Sequence, residues 1–287
     1  MKITIEKIEE CIGAEVSGID ISSHISDKDF KQIRDAFYEH SVLVFRDQAI
    51  TDAEHVTFSE RFGPLEMSLA SDPFGGGGPI FRISNVDDSG AIVSPEDTRA
   101  LYQTGNQLWH SDGSFRHVPL KASLMSAKVV PPDGGDTEFA SLRAAYASLP
   151  EEKRASLDEL VVEHSMAHSR AQIAPNLLSK EFQSDVPPVQ QLLVRTVPKT
   201  GERILLVGSY ASHIIGWEIE KGRALLEELL EWSTQRQFVY RHKWRVNDLV
   251  MWDNRLCLHR GRPWRMGTHR RTMHRTTLAG DGPTVEQ

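Results

Sequence analysis

The chain has 287 residues, of which 39% are hydrophobic and 25% charged, and six are tryptophan. These proportions are typical of a folded globular protein and exclude a disordered chain. The net charge of −7 and the pI near 6.0 argue against nucleic acid as a main partner, because nucleic-acid-binding domains are usually basic. Residues 1–287 are expected to form one domain, since β-sandwiches and barrels often reach this length.

The N-terminal segment and the cysteine content bear on location. The opening residues MKITIEKIEECIGAEVSGIDI carry charges throughout, and no later stretch approaches the ~18 apolar residues of a membrane span. The two cysteines, Cys11 and Cys257, are too few for an iron–sulfur cluster or a cysteine-rich zinc site. We therefore expect a cytoplasmic protein with no membrane partner.

Two helices and one strand are predicted near the N-terminus. Apolar residues recur on one helical face at 26–40, and the run SVLVFRDQ at 41–48 is typical of a buried strand. A second helix is predicted at 51–63, because Thr51 and Glu54 have the spacing of a capping box. These elements form scaffold rather than a site.

Residues 67–105 are predicted to be largely irregular, with one strand at 80–86. The run FGGGGP at 74–79 is not a phosphate loop, because no Gly-Lys-Ser/Thr follows it. We interpret this run as a flexible hinge. A long loop of this kind in a compact domain is typical of a lid over a binding site.

The remaining chain is predicted to consist of short strands with a few helices. Residues 150–190 have a helical and then a loop-like pattern. Strands are predicted at 121–130, 190–198, 203–210, 238–244, 249–253 and 271–278, and helices at 141–149 and 223–235. The sequence therefore predicts a mainly β fold with flanking helices, a jelly roll or a barrel.

The segment NQLWHSDGSF at 106–115 sets the imidazole of His110 two residues before the carboxylate of Asp112. In a strand these side chains would share a face and could hold one metal ion. The spacing alone is weak, because about two such His-X-Asp/Glu triplets are expected by chance. His259, which ends the strand-like run LVMWDNRLCLHR, supplies a second imidazole. Two imidazoles and one carboxylate are the facial triad of non-haem Fe(II) oxygenases.

Seven arginines fall within residues 255–275, in a chain that is acidic overall. A solvated basic surface is one interpretation. The alternation of HRRTMHRT, however, places Arg271 and Arg275 on the same strand face as the apolar Met273. Guanidinium groups that face inward indicate bound carboxylates.

Together these motifs resemble the Fe(II)/2-oxoglutarate-dependent dioxygenases of the taurine dioxygenase and 2,4-dichlorophenoxyacetate dioxygenase family. The resemblance runs from VLVFRDQ and RFGPLE through NQLWHSDGSF and VVPPDGGDTEF to LVMWDNRLCLHRG and HRRTMHRTTL. It implies a double-stranded β-helix, or jelly roll, in which His110, Asp112 and His259 bind the iron. It also implies 2-oxoglutarate and O2 as cosubstrates, with ascorbate as an optional reductant.

The resemblance extends to residues that would bind the organic molecules. Thr137 and Arg271 match positions that bind the distal carboxylate of 2-oxoglutarate. Arg275 matches a second arginine near the cosubstrate and the anionic group of the prime substrate, and Asn106 matches a substrate-pocket position of the taurine enzyme. Because Asp112 stands where halogenases have Gly or Ala, hydroxylation is favoured over halogenation.

The motifs are most similar to those of the 2,4-dichlorophenoxyacetate branch. This implies hydroxylation of an aryloxyalkanoate to a phenol and glyoxylate, with succinate and CO2 as the other products. Alternatives are the same chemistry on a sulfonate, an alkyl sulfate or another carboxylate, and a jelly-roll protein that binds a small acid without turnover. MSLASDPFGGGG at 67–78 lacks the polar residues of the taurine enzyme's sulfonate pocket. We expect a homo-oligomer whose partner is a small molecule.

Overall fold

The structure is a computed structural model that describes residues 2–69, 71–72, 76–198 and 200–285. The strands are β1 (Thr4–Lys7), β2 (Ala14–Ser17), β3 (Val42–Phe45), β4 (Phe81–Ser84), β5 (Ala122–Val129), β6 (Thr137–Ser141), β7 (Val161–His164), β8 (Val189–Leu192), β9 (Val194–Thr196), β10 (Arg203–Leu205), β11 (Ala211–Ile214), β12 (Val239–His242), β13 (Leu249–Asp253), β14 (Cys257–Gly261) and β15 (Thr272–Leu278). The helices are α1 (Asp27–His40), α2 (Asp52–Glu60), α3 (Thr98–Thr104), α4 (Leu142–Ala147), α5 (Glu151–Leu157), α6 (Met166–Ala171), α7 (Lys180–Asp185) and α8 (Ile219–Ser233), with 3₁₀ turns at Gly105–Gln107 and Arg236–Phe238.

A large sheet carries the strands in the order β1-β2-β3-β13-β5-β15-β4. A smaller sheet has the order β12-β6-β14, and its strands pair antiparallel. The two sheets face each other across a core in which Met125, Trp252 and Met273 of the large sheet pack against Phe139 and Cys257 of the small one. This sandwich is the jelly-roll core that the sequence predicts.

Helices cover the outer faces of the sandwich. On the large sheet, Phe30, Phe37 and Phe58 of α1 and α2 pack against Leu43 and Phe45 of β3. On the far side of the small sheet, a separate cluster joins β14 to α4, α8, β9 and β10. Side chains at the ends of the sandwich therefore remain available to form a site.

The N-terminal helices confirm the sequence prediction. Ser26 caps α1 by accepting a hydrogen bond from the backbone N–H of Asp29. Thr51 and Glu54 form both hydrogen bonds of the capping box at α2. Capping groups satisfy backbone donors that otherwise have no partner at a helix start, so these boundaries are readable from the sequence.

Two regions contain more regular structure than the sequence predicts. Residues 67–105 include α3 besides the predicted strand β4. Residues 150–190, predicted as helical and then loop-like, include the strand β7 and, after it, α6 and α7. These elements are short, so periodicity is weak within them and tertiary contacts decide their conformation. Of the predicted glycine-rich hinge, residues 74–75 lie outside the described residues, as do 70 and 73 nearby. Among the described residues, no helix is both long and apolar enough to cross a membrane.

Candidate metal centre and adjoining cavities

His110 and His259 lie directly opposite each other in an isolated antiparallel bridge. The backbone N–H of each donates to the carbonyl of the other, at 3.0 and 2.8 Å. Residues paired in this way project their side chains to the same face. The two imidazole centroids are consequently 4.2 Å apart, although the residues are far apart in sequence.

Asp112 joins the two histidines from a turn and not from a strand. The strand assumed for the His-X-Asp segment is wrong, because the backbone bends into a turn after His110 and Gly113 has a φ of +69°. The Asp112 carboxylate nevertheless reaches both rings, with Oδ1 at 3.8 Å from His110 Nε2 and Oδ2 at 3.7 Å from His259 Nε2. All three side chains are buried, and their donor atoms lie within 4.8 Å of one another.

Both carboxylate oxygens of Asp112 also accept hydrogen bonds. Ser123 Oγ donates to Oδ2 and Arg275 Nη1 donates to Oδ1, each at 2.7 Å. Asn254 Nδ2 donates to Ser123 Oγ at 3.0 Å, which directs the Ser123 proton toward Asp112. Burial opposes ionisation, but the charge of Arg275 and the hydrogen bond from Ser123 hold the pKa of Asp112 well below its usual range.

The histidines are neutral, as metal ligation requires. Burial lowers the pKa of His110 and lowers that of His259 further. His110 Nδ1 lies 2.7 Å from the carbonyl of Leu108, so Nδ1 carries the proton and Nε2 offers its lone pair to the cluster. Two neutral imidazoles and one ionised carboxylate are the donor set of a ferrous ion in a facial triad, and these residues fit that ion.

An inner cavity opens from the histidines into the sandwich. Its walls include Asn106, Thr137, Trp252, Arg271 and Arg275, together with both imidazoles. The sequence expectation that Arg271 and Arg275 share a face agrees with their common cavity.

Thr137 and Arg271 carry hydrogen-bond donors in this cavity. Trp244 Nε1 donates to Thr137 Oγ1 at 2.9 Å, so the Thr137 hydroxyl is left to donate to another acceptor. The Nε of Arg271 is buried without a hydrogen-bond partner among the described residues. Burial lowers the pKa of Arg271 to about 10, against an opposing effect of Asp136, so the guanidinium stays charged at neutral pH.

An outer cavity lies on the other side of the cluster and is reached by Asp112. Asn106 and Arg275 line both cavities and separate them. Part of the outer wall comes from the predicted lid, including Met67, Leu69 and Phe81. The sequence-predicted site residues thus lie around one cluster with a cavity on each side.

The sequence motifs did not identify three side chains of the outer cavity, namely Tyr102, Arg170 and Tyr210. Burial by itself would lower the pKa of Arg170, but the phenols of Tyr210 and Tyr102 raise it above its ordinary value. No local spacing marks these residues, because they come from α3, α6 and the segment before β11. Ser123, the partner of Asp112, was also missed. Its position in a predicted strand next to a chemical motif was the one available signal.

Both cysteines are free thiols. Cys257 is fully buried and its Sγ donates to the carbonyl of Asp253 at 3.1 Å. Burial raises the pKa of this thiol well above its ordinary value. It is therefore a core residue, although it shares a strand with His259.

Comparisons with known proteins agree with this geometry. The family model described as "Taurine catabolism dioxygenase TauD, TfdA family" matches residues 4–277. An alpha-ketoglutarate-dependent 2,4-dichlorophenoxyacetate dioxygenase of Cupriavidus pinatubonensis is 39% identical over 283 residues, covering 97% of this chain and 98% of that protein. An (S)-phenoxypropionate/alpha-ketoglutarate-dioxygenase of Sphingobium herbicidovorans is 33% identical over 285 residues, covering 96% and 95%.

A solved structure is similar over the whole chain. The crystal structure of AAD-2 in complex with Mn(II) and N-oxalylglycine superposes with a TM-score of 0.92 at 39% identity, covering 100% of both chains. The fold and the three-residue cluster define a non-haem metal oxygenase of the jelly-roll type. The chain belongs to the TauD, TfdA family and is an oxidoreductase of the dioxygenase class.

Proposed function

We propose that this protein is an Fe(II)/2-oxoglutarate-dependent dioxygenase that hydroxylates an aryloxyalkanoate such as 2,4-dichlorophenoxyacetate. Hydroxylation beside the ether oxygen gives a hemiacetal that breaks down to a phenol and glyoxylate, while 2-oxoglutarate is converted to succinate and CO2. The observation that carries the proposal is the buried His110–Asp112–His259 cluster between two cavities. The names of the relatives support the substrate class. Residues 1–287 act as one catalytic domain.

The metal ligands in this proposal are His110, Asp112 and His259. Fe(II) held by these residues would, together with 2-oxoglutarate and O2, supply the oxidising chemistry for hydroxylation of a C–H bond. Arg275 and Ser123 keep the Asp112 carboxylate ionised and fix its orientation, because each donates to one of its oxygens. Leu108 fixes the tautomer of His110 through its carbonyl. The protein thus contributes mainly positioning.

The inner cavity binds 2-oxoglutarate in this proposal. The hydroxyl of Thr137 and the guanidinium of Arg271 line this cavity and would supply a donor and a positive charge for the distal carboxylate. A buried cation without a counter-ion is costly, so the cavity favours an anion. The relative bound to N-oxalylglycine supports this assignment, because that ligand also combines an oxalyl group with a second carboxylate.

The outer cavity binds the prime substrate. Asn106 and Arg275 border both cavities and contact the cosubstrate on one side and the prime substrate on the other. Phe115, Tyr210 and Leu120 supply an apolar wall for an aromatic ring. A substrate bound here would have its reacting carbon near Asp112, which lines the same cavity.

The direct test is succinate release from 2-oxoglutarate under air with Fe(II) and ascorbate. Each candidate acid is added in turn: phenoxyacetates, phenoxypropionates, cinnamates, sulfonates and alkyl sulfates. We expect stoichiometric phenol and glyoxylate with at least one aryloxyalkanoate. If only sulfonates or sulfate esters stimulate turnover, the substrate class is wrong while the cofactors stand. If no Fe(II)-dependent conversion of 2-oxoglutarate occurs at all, the proposed chemistry is refuted.

The same proposal includes a homo-oligomer in the cytoplasm. Its support for the location is that both cysteines are free thiols, which is typical of proteins from a reducing compartment. Light scattering coupled to size-exclusion chromatography decides the oligomeric state. Cell fractionation decides the location.

A further inference from the structure

We propose that Arg170 is the principal anion-binding residue for the acid group of the prime substrate. This inference rests on the proposed function and assigns the substrate's charge to a residue that the family motifs do not mark. Arg170 lies in α6, is 3% exposed, and lines the outer cavity. A guanidinium in this position can form two parallel hydrogen bonds to a carboxylate.

Four arginines of the described residues are buried, and they differ in their partners. Arg255 is paired with Asp253 and Asp281. Arg195, Arg271 and Arg170 have no carboxylate partner in the part of the chain that the structure describes. Arg271 lines the inner cavity and Arg170 the outer one, whereas Arg195 lines neither. Each cavity therefore contains one buried guanidinium without a counter-ion.

Arg275 is less available for the substrate than Arg170. Its Nη1 donates to Asp112 Oδ1 at 2.7 Å, so its charge balances that of a predicted metal ligand. Arg116 also lines the outer cavity, but it is paired with Glu66. Of the three arginines around this cavity, Arg170 alone among the described residues has no acidic partner. An anion in the outer cavity would be its counter-ion.

Local packing holds the Arg170 guanidinium in place. A Cβ at Gly105 would lie 2.5 Å from Arg170 Nη1, although the φ of −57° at Gly105 suits any residue. Gly105 is therefore required for close approach and not for backbone freedom. The ring of Tyr102 lies 4.5 Å from Arg170 Cζ on another side, a cation–π contact.

The hydrogen bonds of Arg170 among the described residues involve neutral partners. Nη1 donates to Ser169 Oγ at 3.3 Å and Nη2 donates to Asn106 Oδ1 at 3.4 Å. The phenols of Tyr102 and Tyr210 are further hydrogen-bond partners, while Nε is buried without a partner among the described residues. These contacts orient the guanidinium without neutralising it. A substrate carboxylate would replace weak neutral contacts by charged ones. Asn106, which reaches both cavities, connects this anion site to the metal centre.

The test compares Arg170→Gln with Arg170→Lys and with Arg195→Gln as the matched control. Arg195→Gln also removes a buried guanidinium that lacks an acidic partner, but outside both cavities. Substrates are phenoxyacetate and its neutral analogue phenoxyacetamide. We expect Arg170→Gln to raise the KM for phenoxyacetate about 100-fold, as for loss of one partner of a buried charge pair. Arg170→Lys should recover part of this loss.

Three further readouts separate binding from structural damage. In Arg170→Gln, the KM for 2-oxoglutarate and the thermal unfolding midpoint should stay near those of Arg195→Gln. The preference for phenoxyacetate over the amide should disappear. The assignment of Arg170 would be overturned by an unchanged preference for the acid over the amide. It would also be overturned if the KM for phenoxyacetate and the KM for 2-oxoglutarate rose equally. In either case the proposed function stands.

Direct binding keeps the two proposals distinguishable. Calorimetry of phenoxyacetate with oxygen-free protein, Mn(II) and 2-oxoglutarate measures affinity without turnover. If wild-type protein converts no acid, the proposed function falls, and the calorimetric comparison still decides on Arg170. Tight binding to the wild type and weak binding to Arg170→Gln supports the anion site, and equal or absent binding refutes it.

Discussion

His110 and His259 exchange both of their backbone hydrogen bonds across one isolated bridge, so a local backbone pairing brings the two imidazoles together. Asp112 then needs only a turn of two residues to reach both rings. The cluster consequently depends on the alignment of two chain segments. Side chains that hold Asp112 in that turn should therefore tune metal affinity without being ligands.

Ser123→Ala should lower the affinity for divalent metal by about 10- to 100-fold, as is typical for loss of a partner that orients a ligand. The Ser123 hydroxyl donates to Asp112 Oδ2, and its removal frees the carboxylate to rotate. Mn(II) titration by calorimetry measures the change. Ser126→Ala is the matched control, because Ser126 lies in the same strand and contacts His55 rather than Asp112. Equal affinities in the two variants would contradict this role.

Arg271→Lys should raise the KM for 2-oxoglutarate by about 10- to 100-fold, because lysine keeps the charge but loses the planar pair of donors. The KM for the prime substrate should change much less, since Arg271 lines the inner cavity. Steady-state kinetics with each substrate varied in turn separate the two effects. Arg270→Lys at the neighbouring exposed position is the control. A larger increase in the KM for the prime substrate than in the KM for 2-oxoglutarate would show that Arg271 does not serve the cosubstrate.

Features that depend on local interactions are predicted from the sequence more readily than features that depend on contacts between distant segments. The cap of α1 at Ser26 and the capping box of α2 are local, so they are readable from residues three apart. The three candidate metal ligands are predicted from the sequence because the motifs around them are composite and extensive, and the structure brings the three side chains together. The turn at Asp112 is not predicted from the sequence. Gly113 adopts a left-handed backbone there, but a glycine can adopt many backbone conformations, so its presence does not by itself indicate a turn.

Arg170 shows what the sequence could not indicate. It lies in the six-residue helix α6, MAHSRA, with no charge pattern around it. Its isolation from carboxylates and its contact with Gly105 arise from the packing of α6 against the 3₁₀ turn. Both features depend on tertiary packing, which local sequence patterns do not encode. Similarly, α3 has only seven residues, too few for its apolar periodicity to stand out from the surrounding loop.

Stability should fall as the pH is lowered from about 6.5 toward 3, partly because of His55 and His164. Burial lowers the pKa of each to about 3, and Lys128 adds to this effect at His55 while Asp52 opposes it. Because the folded pKa is below the unfolded value of 6.5, the unfolded state binds more protons in this window. Each histidine then removes up to about 1.4 kcal/mol of unfolding free energy per pH unit.

Urea unfolding at several pH values between neutral and about 5 measures this slope. His55→Gln should reduce the slope by the contribution of one histidine, while it also lowers stability at neutral pH by losing hydrogen bonds to Thr276 and Ser126. Parallel pH profiles for wild type and His55→Gln would show that His55 is not titrating as the structure implies.

Gly113→Ala should weaken both the fold and the metal site. Gly113 directly follows Asp112 with a φ of +69°, and an added Cβ would lie 2.3 Å from Cγ of the buried Leu120. The backbone must shift to relieve this contact, and Asp112 moves with it. We expect a loss of about 2 to 4 kcal/mol in unfolding free energy, which sums the left-handed strain and the overpacking. Mn(II) affinity should fall by at least about 10-fold.

Gly90→Ala separates backbone strain from the steric contact. Gly90 also has a left-handed φ, of +85°, but no atom lies within 4 Å of its added Cβ. This control should therefore lose about 1 kcal/mol through strain alone and bind Mn(II) as the wild type does. Chemical unfolding and calorimetry on both variants give the comparison. If Gly113→Ala binds Mn(II) as tightly as Gly90→Ala, the metal site tolerates movement of the turn, and the alignment of Asp112 with the two histidines is less strict than its geometry implies.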